Sequence, residues 1–327
     1  MERQAQAEGL QPLLGYLAGG AVRGDGDWQS WTIRRVAGGM NSLIYRATGP
    51  GGDLAVKLTA RDSRHRAARE YAALLALERA GLELAPRPVW LDEMRYRQPV
   101  VVQSWLEGEV SAAPPATDAE WELLVAHLAA VHSLTPEGTD VPLPAAVIDA
   151  TSPAACRGLI RRQMARLPAE AQPAALRALV RRWEAYPLPD WPPPPVALCR
   201  VDTNTRNFVR RPTGWASVDW ENSGWGDPAF EVGELMAHAA YIDVSAERWA
   251  WVADRYCSLT GDETCAVRIP VYYWAMLVFW AVRLARFLYE VPRGLDQRLV
   301  ERPADWQADL QARYEHYLAL AEANLRV

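Results

Sequence analysis

An α+β chain is what the sequence predicts, with strands gathered in its first third and helices dominating the rest. Three observations carry this. The stretch from Trp31 to Ala60, WTIRRVAGGMNSLIYRATGPGGDLAVKLTA, alternates apolar and polar residues across two glycine turns. That pattern reads as three antiparallel strands. From Thr117 onward the chain carries long segments with helical apolar spacing and cap residues. Between them, residues 196–227, VALCRVDTNTRNFVRRPTGWASVDWENSGWGD, set a polar loop between two short strand-like runs. Carboxylates and amides collect there at a density that a packed core does not accept without a purpose.

The 327 residues suffice for one large or two ordinary domains with a substantial core. Half of them are apolar and the formal net charge is -5, which describes a soluble globular protein. No basic stripe points to a nucleic-acid partner. The cysteines, Cys156, Cys199, Cys257 and Cys265, are widely spaced with no C-x-x-C pair. Neither a zinc site nor a disulfide framework is indicated, and a reducing cytoplasm is the expected location. The N-terminus lacks the basic start and continuous apolar run of a signal peptide. The longest apolar run, residues 269–282, is shorter than the roughly 18 residues of a bilayer span and predicts a buried core helix. No membrane partner is expected.

Taken in order, an N-terminal helix precedes the strands. Gly38, Gly39, Met40, Asn41 and Ser42 form a turn whose missing Cβ atoms let backbone amides approach an anion, although a plain turn has the same composition. The last strand of the three ends in LAVKL, and its Lys57 is the only lysine in a chain otherwise supplied with arginine. An ammonium is a compact point charge where a guanidinium is a wide fork, so a lone lysine suggests a slot that arginine does not fit. A surviving surface lysine is the bland alternative. The segment from Arg64, RHRAAREYAALLALERAG, predicts a helix stopped at Gly81. Residues 84–109 read as two further strands joined by a turn.

Thr117 and Glu120 form a capping box ahead of the helix WELLVAHLAAVHSL. His127 and His132 stand five apart, about 140° around a helix, and are core or face residues rather than a metal pair. Residues 156–186 read as one long helical stretch whose arginine pairs form a solvated face, and Pro192 to Pro195 as an extended spacer. Asp227 and Pro228 supply an N-cap and a first helical residue. Two aromatic-rich helices follow, at 245–261 and 264–290.

The polar loop carries Asp202, Asn204 and Asn207, and the second strand-like run ends on Asp219. Phosphoryl transfer needs a carboxylate near the attacking hydroxyl, with an amide and a second carboxylate for magnesium. Asp202 and Asn207, five positions apart, let one side chain face the acceptor while the other turns to the metal. Magnesium takes a few hard oxygens and completes its shell with water and phosphate. Asp, Asn and Thr capping turns is the alternative.

DTNTRN followed by VDWENSGWGDPAFEVGEL resembles the aminoglycoside phosphotransferase and choline kinase family, relatives of protein kinases. Its loop usually reads His-Gly-Asp, four residues, Asn, followed by Ile-Asp-Trp-Glu and Gly-Asp-Pro. Asp202, Asn207, Asp219, Trp220, Glu221, Gly226, Asp227 and Pro228 match, and Arg200 departs, standing where the family has His. The resemblance implies a bilobal protein-kinase-like fold. Residues 1–106 would form the nucleotide-binding lobe, a small antiparallel sheet with one main helix; residues 107–327 would form the mostly helical lobe with the catalytic loop and substrate pocket. It implies that Lys57 clamps the α and β phosphates and pairs with Glu70, preferred over Glu78, and that Gly38, Gly39, Asn41 and Ser42 lie over the phosphates. Gln103 to Leu106, including Trp105, would be the hinge whose backbone meets the nucleobase. Asn207 and Asp219 would hold Mg²⁺, Asp202 would be the catalytic base, Asp227 would brace the catalytic loop, and Glu221 would lie near the metal. The activity implied is transfer of the γ-phosphoryl group of ATP or GTP to a hydroxyl of an amino sugar, amino alcohol or related metabolite. Glu221, Glu231, Glu234 and Asp243 are candidates to face a cationic acceptor. Two other readings stay open. A pseudokinase scaffold is motivated by Arg200, and a protein kinase is disfavoured by Trp220-Glu221 after Asp219 and by the lack of an Ala-Pro-Glu segment.

Overall fold

The computed structural model of the chain describes residues 2–19, 23–37, 42–212, 214–295 and 304–325. Gly38, Gly39 and Asn41 of the glycine turn lie outside the described residues. Helix α1 (Glu2–Ala18) leads into β1 (Gly26–Trp28), β2 (Trp31–Val36), β3 (Ser42–Gly49) and β4 (Gly52–Thr59). Helix α2 (Arg66–Arg79) then precedes β5 (Pro88–Asp92) and β6 (Val100–Ser104). The six strands form one antiparallel sheet in the order β1-β2-β3-β4-β6-β5. The first lobe is therefore a small sheet with α2 as its main covering helix, as expected.

Two periodicities build this lobe. Leu10, Leu13, Leu14 and Leu17 recur on one face of α1. They pack against Leu54, Val56 and Leu58, the residues of β4 that point to that side. Alternation then sends Ala55, Lys57 and Thr59 to the opposite face, where α2 lies. Gly81 ends α2 in the left-handed region at φ 70°, and the N–H of Leu82 reaches back to the carbonyl of Leu77 at 2.9 Å, closing the helix.

The remainder is mostly helical. Helices α3 (Asp118–Val131), α4 (Pro153–Met164) and α5 (Ala174–Ala185) precede the short strands β7 (Ala197–Cys199), β8 (Phe208–Val209), β9 (Ala216–Ser217) and β10 (Gly224–Gly226). Helices α6 (Pro228–Ala237), α7 (Ala246–Thr260), α8 (Cys265–Glu290) and α9 (Trp306–Asn324) complete it. Thr117 and Glu120 make the expected capping box, and Asp227 caps α6 with Pro228 in its first turn. Helix α8 is long and apolar enough to cross a bilayer by composition alone, but 67% of its apolar window is buried. It is the central core helix, packed against α4, α6 and α9.

Two expectations are corrected. The helical stretch over 156–186 is two helices, because Pro168 and Pro173 cannot continue the first. Cys257 and Cys265, taken as unpaired, are joined by a disulfide across the α7–α8 turn. Their separation of eight residues hides that the turn brings the two helix ends together.

A third apolar cluster joins the lobes: Ala73, Leu74 and Leu77 of α2 pack with Val131, Leu198 and Trp220. In the second lobe, α6 and α8 approach through Gly233, where a Cβ would lie 2.6 Å from the Tyr272 Cβ and 2.9 Å from the Tyr273 nitrogen. Gly233→Ala is expected to push α6 off α8 and to destabilise the fold by about 1–3 kcal/mol. A urea denaturation midpoint equal to that of the unsubstituted protein would contradict this.

Candidate active site

The face of β4 turned toward α2 carries Lys57, which is 2% exposed. Its Nζ lies 2.7 Å from Glu70 Oε2, in direct contact with Asp219 Oδ1 and 3.5 Å from Glu221 Oε2. Burial works against this ammonium, but Asp219, Glu70 and Glu221 outweigh it and hold Lys57 well above its ordinary value. Burial likewise works against the Asp219 carboxylate, and the Lys57 charge overrides it and holds the group low. Glu70 is pushed up to about 7 by burial, with Lys57 opposing. It shares the buried face of α2 with Ala67, Ala73, Leu74 and Leu77, whereas Glu78 sits half-buried off that face.

Helix α2 is also tied to the segment after Asp219. Arg66 bonds Asp62 at 2.9 Å and contacts Glu221 Oε1. Arg69 donates to the carbonyls of Ser223 at 2.6 Å and Ala145 at 2.7 Å. The sequence reading missed Arg66 and Arg69; their signal was the i,i+3 spacing on a helix whose other long polar residue on that side is Glu70.

Asp202 is half-buried in the loop after β7, and burial together with the Asp219 charge pushes its carboxyl up to about 6. Asn207 Nδ2 donates to the Asp202 carbonyl at 3.4 Å, while Asn204 caps a short turn by accepting from the Arg206 N–H at 3.0 Å. The loop is held from below by two buried glutamates one turn apart on α6. Glu231 accepts from the Arg200 N–H at 2.7 Å, and Glu234 accepts from the Thr203 N–H at 3.2 Å and from its hydroxyl. Burial pushes Glu234 up to about 7. Glu231 also meets His132 at 3.2 Å, and His132 meets the Tyr256 hydroxyl at 2.7 Å. Buried His127 bridges the Trp215 carbonyl and the Ser217 hydroxyl, both at 3.1 Å. The two histidines are thus core residues in polar networks.

These contacts already engage three of the four acids expected to face a cationic acceptor. Glu221 is engaged by Arg66 and Lys57, Glu231 and Glu234 by the Asp202 loop, and Asp243 is exposed. Glutamates at i,i+3 in an otherwise apolar helix were the available sign that they are buried. Among the described residues Asp227 makes no side-chain hydrogen bond to the loop. It accepts from Arg268 at 2.9 and 3.0 Å and from the Tyr272 hydroxyl at 2.6 Å, and caps α6 through the Ala229 N–H at 2.9 Å. Its support reaches the loop through that helix.

Arg200 is 1% exposed, stacks over Phe208 at 4.6 Å and donates to the Val218 carbonyl at 3.3 Å. Beside it lies a second departure from the His-Gly-Asp pattern. Val201 stands at the glycine position with φ 55°, a left-handed conformation that a β-branched residue adopts at a cost of about 1–3 kcal/mol. Asp219 is left-handed as well, at φ 64°.

At the lobe junction, Gln103 is buried in β6 opposite Ala55, and the Trp105 N–H is bonded to the Asp53 carbonyl at 2.9 Å. That N–H is therefore not free for a nucleobase. The Trp105 ring lies under Arg46, 4.6 Å from its centroid. Ser42, the described end of the glycine turn, opens β3 opposite Thr59 and is buried.

The cleft's donors suit a hard divalent cation. Asn207 spends its amide N–H on the loop and keeps its oxygen, and Asp219 gives one oxygen to Lys57 and keeps the other. Glu70 Oε1 and Glu221 Oε2 are buried without hydrogen-bond partners, so the site carries acceptor capacity in excess of its own donors.

No curated protein sequence matches this chain. Among solved structures, it is similar to a choline/ethanolamine kinase family protein from Mesorhizobium loti, with 19% identity and a TM-score of 0.64 over 99% of this chain and 95% of that one. A spectinomycin phosphotransferase in complex with ADP and spectinomycin shares 14% identity and a TM-score of 0.61 over 98% of both chains. A macrolide 2'-phosphotransferase from Brachybacterium faecium shares 22% identity and a TM-score of 0.58 over 94% of this chain and 98% of that one. These likenesses establish the bilobal kinase-like α+β fold. The model of the phosphotransferase enzyme family matches residues 32–266, well over half of the sequence. The chain belongs to the phosphotransferase enzyme family.

Proposed function

We propose that this phosphotransferase moves the γ-phosphoryl group of ATP, or of GTP, onto a hydroxyl of a small molecule. One observation carries the reading: the lone lysine of the first lobe meets Asp219 of the second, with Asp202 and Asn207 on the same edge. Residues 1–106 then serve as the nucleotide lobe and residues 107–327 as the catalytic and acceptor lobe. Lys57 clamps the phosphates, positioned by Glu70, and the Gln103–Leu106 hinge flanks the nucleotide.

Asp202 acts as the base. The acceptor oxygen forms a bond to Pγ, the bond from Pγ to the bridging oxygen breaks, the nucleoside diphosphate leaves, and the hydroxyl proton passes to the Asp202 carboxylate. With its carboxyl near 6, Asp202 is ionised at neutral pH yet more basic than an exposed aspartate. Asn207 and Asp219 are the ligands for Mg²⁺, which when bound offsets the charge on the phosphate oxygens.

A pseudokinase is the second reading, favoured by Arg200 and by the strained Val201 beside the base. Turnover separates the two: an enzyme releases ADP in a magnesium-dependent acceptor screen, and a scaffold binds nucleotide without product. Asp202→Asn should lower turnover by about 10²–10⁴-fold while ADP binding, followed by calorimetry, persists. Unchanged turnover would remove Asp202 from its role. Lys57→Met leaves buried carboxylates facing one another, and should cost about 3–5 kcal/mol in urea denaturation together with a sharp loss of ATP affinity.

A further inference from the structure

Two side chains of basic type lie within the field of Asp202. Asp202 acts electrostatically on His238 and on Arg283 of α8. The His238 ring packs on Trp280 at 6.3 Å, and the Arg283 guanidinium lies over Trp280 at 5.4 Å and Phe287 at 5.2 Å. Two donors of this group, Trp280 Nε1 and Arg283 Nε, are buried without hydrogen-bond partners. Among the described residues Arg283 makes no ion pair within 4.0 Å.

Three further arginines, Arg64, Arg166 and Arg286, bear on the same guanidinium. The carboxylates nearby are already shared. Asp62 bonds Arg66 at 2.9 Å and lies 3.9 Å from Arg64, and Glu290 bonds Arg286 at 3.1 Å and lies 3.8 Å from Arg166. Burial, with the charges of Arg286 and Arg64, holds Arg283 down to about 10. A partly desolvated cation next to another unpaired donor is a poor resting arrangement, and an anion relieves it.

We propose that the acceptor carries, besides its hydroxyl, a carboxylate or phosphate group that docks on Arg283 and the Trp280 N–H, with Arg64 and Arg166 adding to the field. The planar fork of arginine matches either group. This rests on the phosphoryl-transfer reading: the hydroxyl oxygen takes the phosphoryl group and its proton goes to Asp202, while the anionic group is bound and unchanged. The structure thus favours an acidic acceptor over the amino sugars and amino alcohols that the sequence suggested.

The test incubates the full chain with Mg·ATP and, in turn, D-glycerate, D-gluconate, glycerol 3-phosphate, glycerol, choline and kanamycin, with products followed by phosphorus NMR. Phosphorylation of an acid, with glycerol and choline inert, is the expected result, and glycerate against glycerol 3-phosphate separates carboxylate from phosphate. Arg283→Met should then raise the KM of that acceptor about 10- to 100-fold with a smaller effect on kcat, and Arg283→Lys should recover part of it. Product from choline or kanamycin with the acids inert overturns the inference, as does an Arg283→Met effect confined to the KM of ATP. ATP hydrolysis that no acid diverts into product also overturns it, while leaving the phosphotransferase reading intact. Failure to bind ATP at all strikes that reading instead.

Discussion

One buried ammonium organises this molecule. Lys57 sits between Glu70 on the helix of its own lobe and Asp219 and Glu221 on the other. Removing such charges from water costs several kcal/mol each, and the cost is offset only when every partner is in place. That requirement couples the sheet, helix α2 and the segment after β9. Arg66 extends the coupling, since its contact with Glu221 ties the start of α2 to the same carboxylate that faces Lys57. The lobes are therefore registered by electrostatics around the cleft and by the apolar contact of Leu74 and Leu77 with Trp220 behind it.

The loop that carries Asp202 is held by a different device. The amides of Arg200 and Thr203, which flank Asp202, are spent on Glu231 and Glu234, so the position of Asp202 follows that of α6. Helix α6 is in turn fixed by its cap, Asp227, which Arg268 and Tyr272 of α8 grip in a fully buried network. Against this rigid support the left-handed Val201 is tolerable, because strain persists where the surroundings over-determine the backbone. Arg200, replacing the histidine of the resembling family, keeps its own place by stacking on Phe208 and bonding the Val218 carbonyl.

Charge is distributed unevenly across the cleft. Unpartnered acidic oxygens of Glu70 and Glu221 lie around Lys57, whereas Arg283 sits in the field of Arg64, Arg166 and Arg286. Helix α8 carries aromatic residues that serve both as core and as a stacking surface for Arg283.

Local pattern was enough to read the strands around Lys57, the helix bearing Glu70, the capping box at Thr117 and the Asp227-Pro228 helix start, because periodicity and capping act over a few neighbouring residues. The polar spacing of Asp202, Asn207 and Asp219 was likewise visible, since loop chemistry is written in adjacent positions. What sequence alone misjudged were features set by distant packing. Glu231 and Glu234 look like surface acids until α6 is seen buried beneath the catalytic loop, and Cys257 and Cys265 look unrelated until two helix ends meet. The lack of an ion-pair partner for Arg283 among the described residues is the same kind of fact. A residue's own type states which charge it carries, but whether that charge finds a partner depends on groups brought within a few ångströms from elsewhere in the chain, and only the folded structure decides that.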